Sequence, residues 1–278
     1  MVIKIQNVSK IFGEGCEECL SLTGGSTNAS ICPKCGSVVA VNNANLSLNK
    51  GEVLGIVGES GSGKSTLLQL IYQDVKASCG EIFVEDFHDE KGNSRNILEA
   101  NLNELNYLRN KYISMIYQNP RLGLNYQFSA GGNIAQKIIM SGIKRYETIR
   151  KEALLYLDKT ELPTQRIDDY PDKFSGGQQQ RIQIAKALSA NPKLLLLDEP
   201  TTGLDLSVQA RILDLIKVLQ KSIGFSMIIV SHDLSVIKHL TDITVVMKNG
   251  QIVEQGLTDQ ILEDPTHPYT QLLVSSIL

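Results

Sequence analysis

Eight consecutive residues carry the plainest chemistry in the chain. Gly58-Glu59-Ser60-Gly61-Ser62-Gly63-Lys64-Ser65 fits the spacing G-x-x-x-x-G-K-[ST], whose glycines let backbone N–H groups curl around phosphate oxygens. A helix following it would offer its N-terminus to the same anion. Lys64 is the group that reaches β- and γ-phosphates, the Ser65 hydroxyl is a Mg²⁺ ligand, and Thr66 completes the segment. The same letters can arise in an ordinary glycine turn. Here they follow a short apolar run at residues 52–57, so a nucleotide site is expected. A second cluster is Leu194-Leu195-Leu196-Leu197-Asp198-Glu199, an apolar run ending in two carboxylates. In an open α/β sheet, ligands collect at the carboxyl ends of strands. Asp198 then suits the Mg²⁺ shell, and Glu199 suits a base that polarises water for in-line attack. Taken alone, the acidic pair could equally be a solvated strand end.

Four cysteines form a third cluster. Cys16-Glu17-Glu18-Cys19 and Cys32-Pro33-Lys34-Cys35-Gly36 are two C-x-x-C pairs, each able to bring two thiolates onto one metal at a tight turn. A structural Cys₄ Zn²⁺ site is the leading reading. An iron site of the same ligands, a disulfide pair or idle thiols are the alternatives. The metal would fold a small module over residues 13–37 that lacks a core of its own. Cys79 stands apart and is expected to be a small buried residue.

These residues need elements to position them. Residues 3–8 and 38–48 alternate apolar and polar side chains as strands do, and residues 52–57 read as a buried strand ending at Gly58. Residues 65–72 have helical spacing. Further strands are expected at 81–84, 113–117, 193–197, 225–231 and 243–247, and helices within 135–162, at 181–188 and at 208–223. Asn249-Gly250 marks a type I′ hairpin into residues 251–255. Strands alternating with helices predict a mainly parallel α/β sheet with antiparallel strands near both ends.

Composition bounds the function. The 278 residues are 42% hydrophobic, enough for a core, and no apolar run approaches the ~18 residues of a membrane span. The amino terminus lacks a secretory pattern, so a cytoplasmic location is expected. Lys plus Arg number 27 against 30 acids, there is no Trp, and aromatics are 5%. A phosphate-backbone binder needs a basic excess and a single-strand binder needs stacking platforms, so nucleic acid is an improbable partner.

Phe174-Ser175-Gly176-Gly177-Gln178-Gln179-Gln180-Arg181 resembles the signature of ATP-binding cassette (ABC) ATPases. Other elements stand in the family's order: Gln118 at the Q-loop, Gly203-Leu204-Asp205 at the D-loop, Ser231-His232-Asp233 at the switch histidine, and Phe12 where an aromatic stacks on adenine. The resemblance covers the chain except residues 13–37. It implies a P-loop NTPase fold with a RecA-like core, an antiparallel β subdomain and a helical subdomain over about residues 118–190, all in one ABC domain spanning 1–278. It also implies ATP and Mg²⁺ as cofactors, and a head-to-tail pairing with a second cassette, alike or different. In that pairing Ser175, Gly176, Gly177 and Gln178 of one cassette cover the γ-phosphate held by the other, and Asp205 couples the two sites. Gln118 would join the Mg²⁺ shell with Ser65 and Asp198, and His232 would contact the γ-phosphate and attacking water beside the base Glu199. His88, His239 and His267 lack such context and are expected at the surface or in packing.

A narrower resemblance rests on Ser129-Ala130-Gly131-Gly132-Asn133-Ile134, Arg166-Ile167-Asp168-Asp169, Gly256-Leu257-Thr258-Asp259 and the segment from His267 to Ser276. These are similar to ATP-binding subunits of bacterial phosphonate carbon–phosphorus lyase complexes, which dock on a soluble enzyme core. The His267-Pro268-Tyr269-Thr270 segment is shared with dipeptide and oligopeptide importer ATPases, so a membrane permease is the alternative partner. A nucleic-acid-handling ABC protein is a third reading.

Overall fold

Ile3, Ile5 and Val8 are buried at near-alternate positions of one segment, and Val39, Val41, Ala44, Leu46 and Leu48 do the same in another. Two half-covered strands result. The computed structural model describes residues 1–88 and 92–276. In chain order they form β1 (Ile3–Phe12), β2 (Val38–Leu48), β3 (Val53–Val57), α1 (Lys64–Tyr72), β4 (Cys79–His88), β5 (Ser94–Asn96) and α2 (Leu102–Lys111). There follow β6 (Ile113–Ile116), α3 (Pro120–Gly123), α4 (Ala130–Met140), α5 (Tyr146–Lys159), α6 (Gly176–Leu188), β7 (Leu194–Asp198) and α7 (Leu206–Ile223). The last elements are β8 (Ser226–Val230), α8 (Leu234–Leu240), β9 (Ile243–Lys248), β10 (Gln251–Leu257), α9 (Thr258–Glu263) and α10 (Pro268–Ser275). The chain divides into two compact units, residues 1–105 with 228–278, and residues 106–227.

The first unit holds an antiparallel sheet in the order β2-β1-β4-β5 and a group of strands in the order β10-β9-β3-β8. Every residue of β3 is buried, and β3 pairs parallel with β9, Leu54 opposite Ile243 through Val57 opposite Val246. That continuous burial is why β3 reads as an unbroken apolar run. Asn249 and Gly250 both have positive φ, 46° and 80°, so the expected type I′ turn closes the β9–β10 hairpin. The second unit pairs β6 and β7 in parallel, Ile113 opposite Leu194 through Ile116 opposite Leu197. Its helices α4, α5 and α6 pack on one another. The parallel pairs and the antiparallel strands bear out the expected fold class.

Two expectations need correction. Cys79 is exposed, not buried, because it opens β4 opposite Ser9 at the end of that ladder. Strand β1 continues past residue 8 to Phe12, since Ile11 and Phe12 pair with Val39 and Val38 after register shifts. Those bulges break the alternation by which the strand was read. Among the described residues, no helix is long and apolar enough to cross a membrane.

Candidate nucleotide-binding site

The phosphate loop is built by close backbone packing in the first unit. Gly58, Gly61 and Gly63 have φ of 149°, 81° and 101°, a region that β-carbons disfavour. A β-carbon on Gly58 would lie 2.2 Å from the Met247 carbonyl oxygen, and one on Gly63 would lie 2.1 Å from that of Ala40. The loop therefore tolerates only glycine where it turns. The Gly250 N–H donates to the Ser62 carbonyl at 3.0 Å, tying the loop to the β9–β10 hairpin. Lys64 is buried, and its Nζ donates to the Gly58 and Glu59 carbonyls at 2.8 Å each. The Ser62 hydroxyl is buried with no protein partner. Ser60 and Gly61 are exposed at the tip, and Ser65 and Thr66 are half-buried at the start of α1. Glycine-only turns, a buried ammonium and the open first turn of a helix fit a phosphate group.

Tyr269, from the carboxyl-terminal segment, accepts a hydrogen bond from the Glu59 N–H at 3.1 Å, and burial pushes its phenol above the usual range. Sequence reading passed over Tyr269 as a support for the phosphate loop, although it lies in the His-Pro-Tyr-Thr segment already noted. Phe12 ends β1, 42% exposed as a residue, with the Lys10 ammonium 4.8 Å from its ring centre. His232 is exposed, between Ser231, whose N–H donates to the Ile56 carbonyl at 3.2 Å, and Asp233, which caps α8 through the Ser235 N–H at 2.8 Å. The switch segment is thus fixed at the end of β3.

The second unit brings together Gln118 and Glu199. The Gln118 amide lies 3.4 Å from Glu199 Oε2, and the Thr202 hydroxyl donates to that same oxygen at 2.9 Å. Glu199 adopts a left-handed backbone, φ 44°, which is uncommon outside glycine and recurs at functional turns. Asp198 ends β7 and is buried. Gln118 is held in place by an amide that sequence reading missed. Gln183 on α6 accepts from the Tyr117 N–H at 2.7 Å and donates to the Tyr117 carbonyl at 3.1 Å. Its only signal was a glutamine three residues on from Gln180, on one helix face.

The signature segment is a helix amino terminus. Ser175 caps α6, accepting from the Gln178 N–H while Gln178 Oε1 accepts from the Ser175 N–H at 3.2 Å, a reciprocal capping box. Gln179 donates to the carbonyls of Pro171 and Phe174 at 2.9 and 3.0 Å. The Arg166 guanidinium lies 4.0 Å above the Phe174 ring and donates to Asp169 at 2.8 Å. Gly177 is buried, and a β-carbon there would come within 2.5 Å of Val208 Cγ1 on α7. Gly176 and Ser175 are exposed. Asp205 caps α7 through the Val208 N–H at 3.0 Å, and that N–H with the Ser207 hydroxyl holds its carboxyl below the usual range.

The four cysteines of the first unit converge. Their sulfurs all lie within 4.8 Å of one another, with Cys16–Cys19 at 3.5 Å, Cys16–Cys32 at 3.7 Å and Cys19–Cys35 at 3.4 Å. Each is far longer than the ~2.05 Å of a disulfide. Burial pushes the Cys19 thiol up to about 12, while the Ser37 hydroxyl and N–H bring Cys35 down to about 6. Cys19 and Cys32 pack with Val39, Ile11 and Leu20, so the module borrows its small core from β1 and β2.

Residues 41–202 match the ABC transporter family, and residues 253–278 match the carboxyl-terminal region of oligopeptide/dipeptide transporters. The chain is 50% identical over 228 residues to the putative phosphonates utilization ATP-binding protein PhnK of Escherichia coli K12, covering 82% of this chain and 87% of that one. It is 42% identical over 254 residues to the oligopeptide transport ATP-binding protein OppD of Bacillus subtilis, covering 87% and 67%. Among solved structures, the dimeric post-hydrolysis state of the cassette MJ0796 bound to ADP and Pi superposes with a TM-score of 0.75 at 29% identity, over 92% of this chain and 98% of that one. The chain belongs to the ATP-binding cassette family, whose members hydrolyse ATP.

Proposed function

We propose that this cassette is the ATP-hydrolysing subunit of a phosphonate-processing complex, of the carbon–phosphorus lyase type, in the cytoplasm. The observation that carries the reading is the 50% identity to the phosphonates utilization protein, against 42% to the oligopeptide transport protein. The packing of the segments outside the nucleotide motifs supports it. The Gly131 N–H donates to the Ile167 carbonyl and the Ala130 N–H to that of Asp169, each at 2.7 Å. The Ser129–Ile134 and Arg166–Asp169 segments therefore form one surface in the helical part, and Arg166 continues from it to the signature segment. A partner bound there has a short, rigid route to Ser175.

In this reading the phosphate loop and Lys64 bind the triphosphate and Phe12 stacks on the base. Glu199 takes a proton from the water whose oxygen attacks the γ-phosphorus, as the bond to the β-phosphate oxygen breaks and ADP leaves. Ser65, Gln118 and Asp198 would hold Mg²⁺, which would supply neutralisation of charge on the phosphate oxygens. His232 contacts the γ-phosphate side of the water, and the signature serine of a second cassette, paired head to tail, donates to the same phosphate. The four thiols would form a separate structural metal site.

One observation favours a second reading. The carboxyl-terminal match to oligopeptide/dipeptide transporters fits the energising subunit of an importer. Affinity purification of the tagged chain from its own host decides between them. Recovery of phosphonate-processing enzymes from the soluble fraction is expected. Recovery of an integral membrane permease, with loss of solute uptake when the gene is deleted, would replace the complex with the importer.

A further inference from the structure

The cysteine module and the phosphate loop are joined by a continuous run of hydrogen bonds within the first unit. The Thr23 hydroxyl, buried, donates to the Cys19 carbonyl at 2.8 Å. The Asn42 amide, also buried, donates to the carbonyls of Leu20 and Thr23 at 2.8 and 3.0 Å, closing the turn that follows the first cysteine pair. The Asn42 backbone N–H donates to the Gly250 carbonyl at 2.8 Å, and the Gly250 N–H donates to the Ser62 carbonyl at 3.0 Å. A second tether runs beside it. The Gly25 N–H donates to Gln251 Oε1 at 2.8 Å, and a side chain on Gly24 would collide with Gln251 at 2.3 Å. Gly250 itself has no room to retreat, since a β-carbon on it would lie 2.9 Å from the Val39 carbonyl oxygen.

The sulfur set is built as a metal site. A tetrahedral Zn²⁺ with bonds of ~2.3 Å separates its sulfurs by about 3.8 Å; three of the pairs lie at 3.4, 3.5 and 3.7 Å, and all four sulfurs lie within 4.8 Å of one another. The Cys16 N–H points at Cys19 Sγ at 3.1 Å. The Gly36 N–H returns to the Cys32 carbonyl at 2.9 Å, with Gly36 at φ 74°. These two tight turns aim each pair of thiols at one point. Four protein sulfurs close the coordination shell, so the metal does no chemistry on a substrate. Without it, only a few apolar side chains hold residues 16–35 together, too small a core for an independent fold.

We propose that Cys16, Cys19, Cys32 and Cys35 bind one Zn²⁺, and that the metal, through Asn42, Gln251 and the Asn249–Gly250 turn, holds the phosphate loop in its nucleotide-binding shape. The second clause rests on the nucleotide-binding reading above. Metal occupancy then sets affinity for ATP, and the insertion is a positioning device for the phosphate loop.

The test uses the full chain purified without chelator. Elemental analysis should give close to one zinc per chain. Hydrogen–deuterium exchange is then compared between loaded protein, protein stripped by a thiol-reactive agent with chelator, and stripped protein reduced and reloaded with zinc. Exchange in residues 58–64 and 249–251 should rise about tenfold on stripping, as for a local opening, with β7 unchanged and protection restored by zinc. Gln251→Ala should keep its zinc yet exchange in the loop at a rate between the two states. Absence of zinc, or iron in its place, overturns the metal assignment. Zinc whose removal leaves the loop's exchange unaltered, or raises exchange uniformly in both units, overturns the coupling. ATP affinity, measured in parallel, should fall about tenfold on stripping. Loaded protein that binds no ATP sinks the nucleotide reading instead, while the exchange data still judge the link.

Discussion

The proposed role of Glu199 in the hydrolytic step is tested at the residue itself. Its backbone is left-handed, and one carboxylate oxygen is held by Thr202 and faced by Gln118. Glu199→Gln keeps the shape and both contacts but cannot accept a proton. The expected outcome is normal MgATP binding with turnover lowered by about 10²–10⁴, the usual worth of a general base; phosphate release in single-turnover mixing measures it. Unchanged turnover would remove Glu199 from the mechanism. Phe12 makes an independent prediction. The residue lies half-exposed at the end of β1, opposite Val38. Phe12→Ala should weaken ATP binding by about 1–3 kcal/mol, the scale of base–aromatic stacking, and should affect GTP similarly, because every base has a stacking face. Titration with a fluorescent nucleotide reads it, and equal affinity in the variant would displace Phe12 from the adenine. The sequence singled out Glu199 by its place after an apolar run and Phe12 by family resemblance, and these two variants test both assignments. Gln183 and Tyr269 were not singled out, because their roles depend on folding distant segments against Tyr117 and Glu59.

Elements explain what was legible and what was not. Strands β3 and β7 and helix α7 declared themselves through unbroken or amphipathic apolar patterns, which follow directly from burial. Helix α2 did not, since only Leu108 of its ten residues is buried. Its amino terminus nevertheless carries a capping signal. Asn101 accepts from the Asn103 and Glu104 N–H groups, and Glu104 accepts from the Asn101 N–H at 2.8 Å. The Asn-x-x-Glu spacing that makes this cap was in view and carries more information there than hydropathy. Close helix contacts were equally hidden, because a glycine in sequence does not say what it approaches. Gly131 on α4 is the clearest case. Its N–H is pinned to the Ile167 carbonyl, and a β-carbon would lie 2.4 Å from Ile167 Cγ1 and 3.1 Å from the Ile167 oxygen. Gly131→Ala should therefore cost about 1–3 kcal/mol of stability through overpacking, despite alanine's better helix propensity. Chemical denaturation measures this. A variant as stable as the parent would show that the Arg166–Asp169 segment yields freely, and would weaken it as a rigid route to a partner.

For the molecule as a whole, the first residues of the signature segment face outward. Ser175 and Gly176 are exposed at the amino terminus of α6, and their capping box already satisfies the helix internally. A helix terminus can serve as an anion site, and in the proposed head-to-tail pair its anion would be the γ-phosphate held by the other cassette. On that proposal dimerisation would be an ATP-dependent equilibrium, in which the triphosphate bridges two copies and hydrolysis removes the bridge. Only a difference in contacts between open and closed states lets that cycle do work on a partner. Glu199→Gln, which holds ATP without consuming it, should accumulate the closed pair. In size-exclusion chromatography with light scattering, the variant should run as a monomer without nucleotide and at twice that mass with MgATP, and ADP should not substitute. Gly177→Asp in the same background should abolish the shift, because it sets a carboxylate against the incoming phosphate and a side chain against Val208, 2.5 Å from a β-carbon at that position. Binding of ATP by Gly177→Asp at the parent's affinity shows that the loss is one of pairing and not of folding. A Glu199→Gln protein that stays monomeric alone, yet pairs when a different cassette from the same host is added, would make the dimer a heterodimer. One that never pairs with any cassette would end the head-to-tail mechanism for this chain.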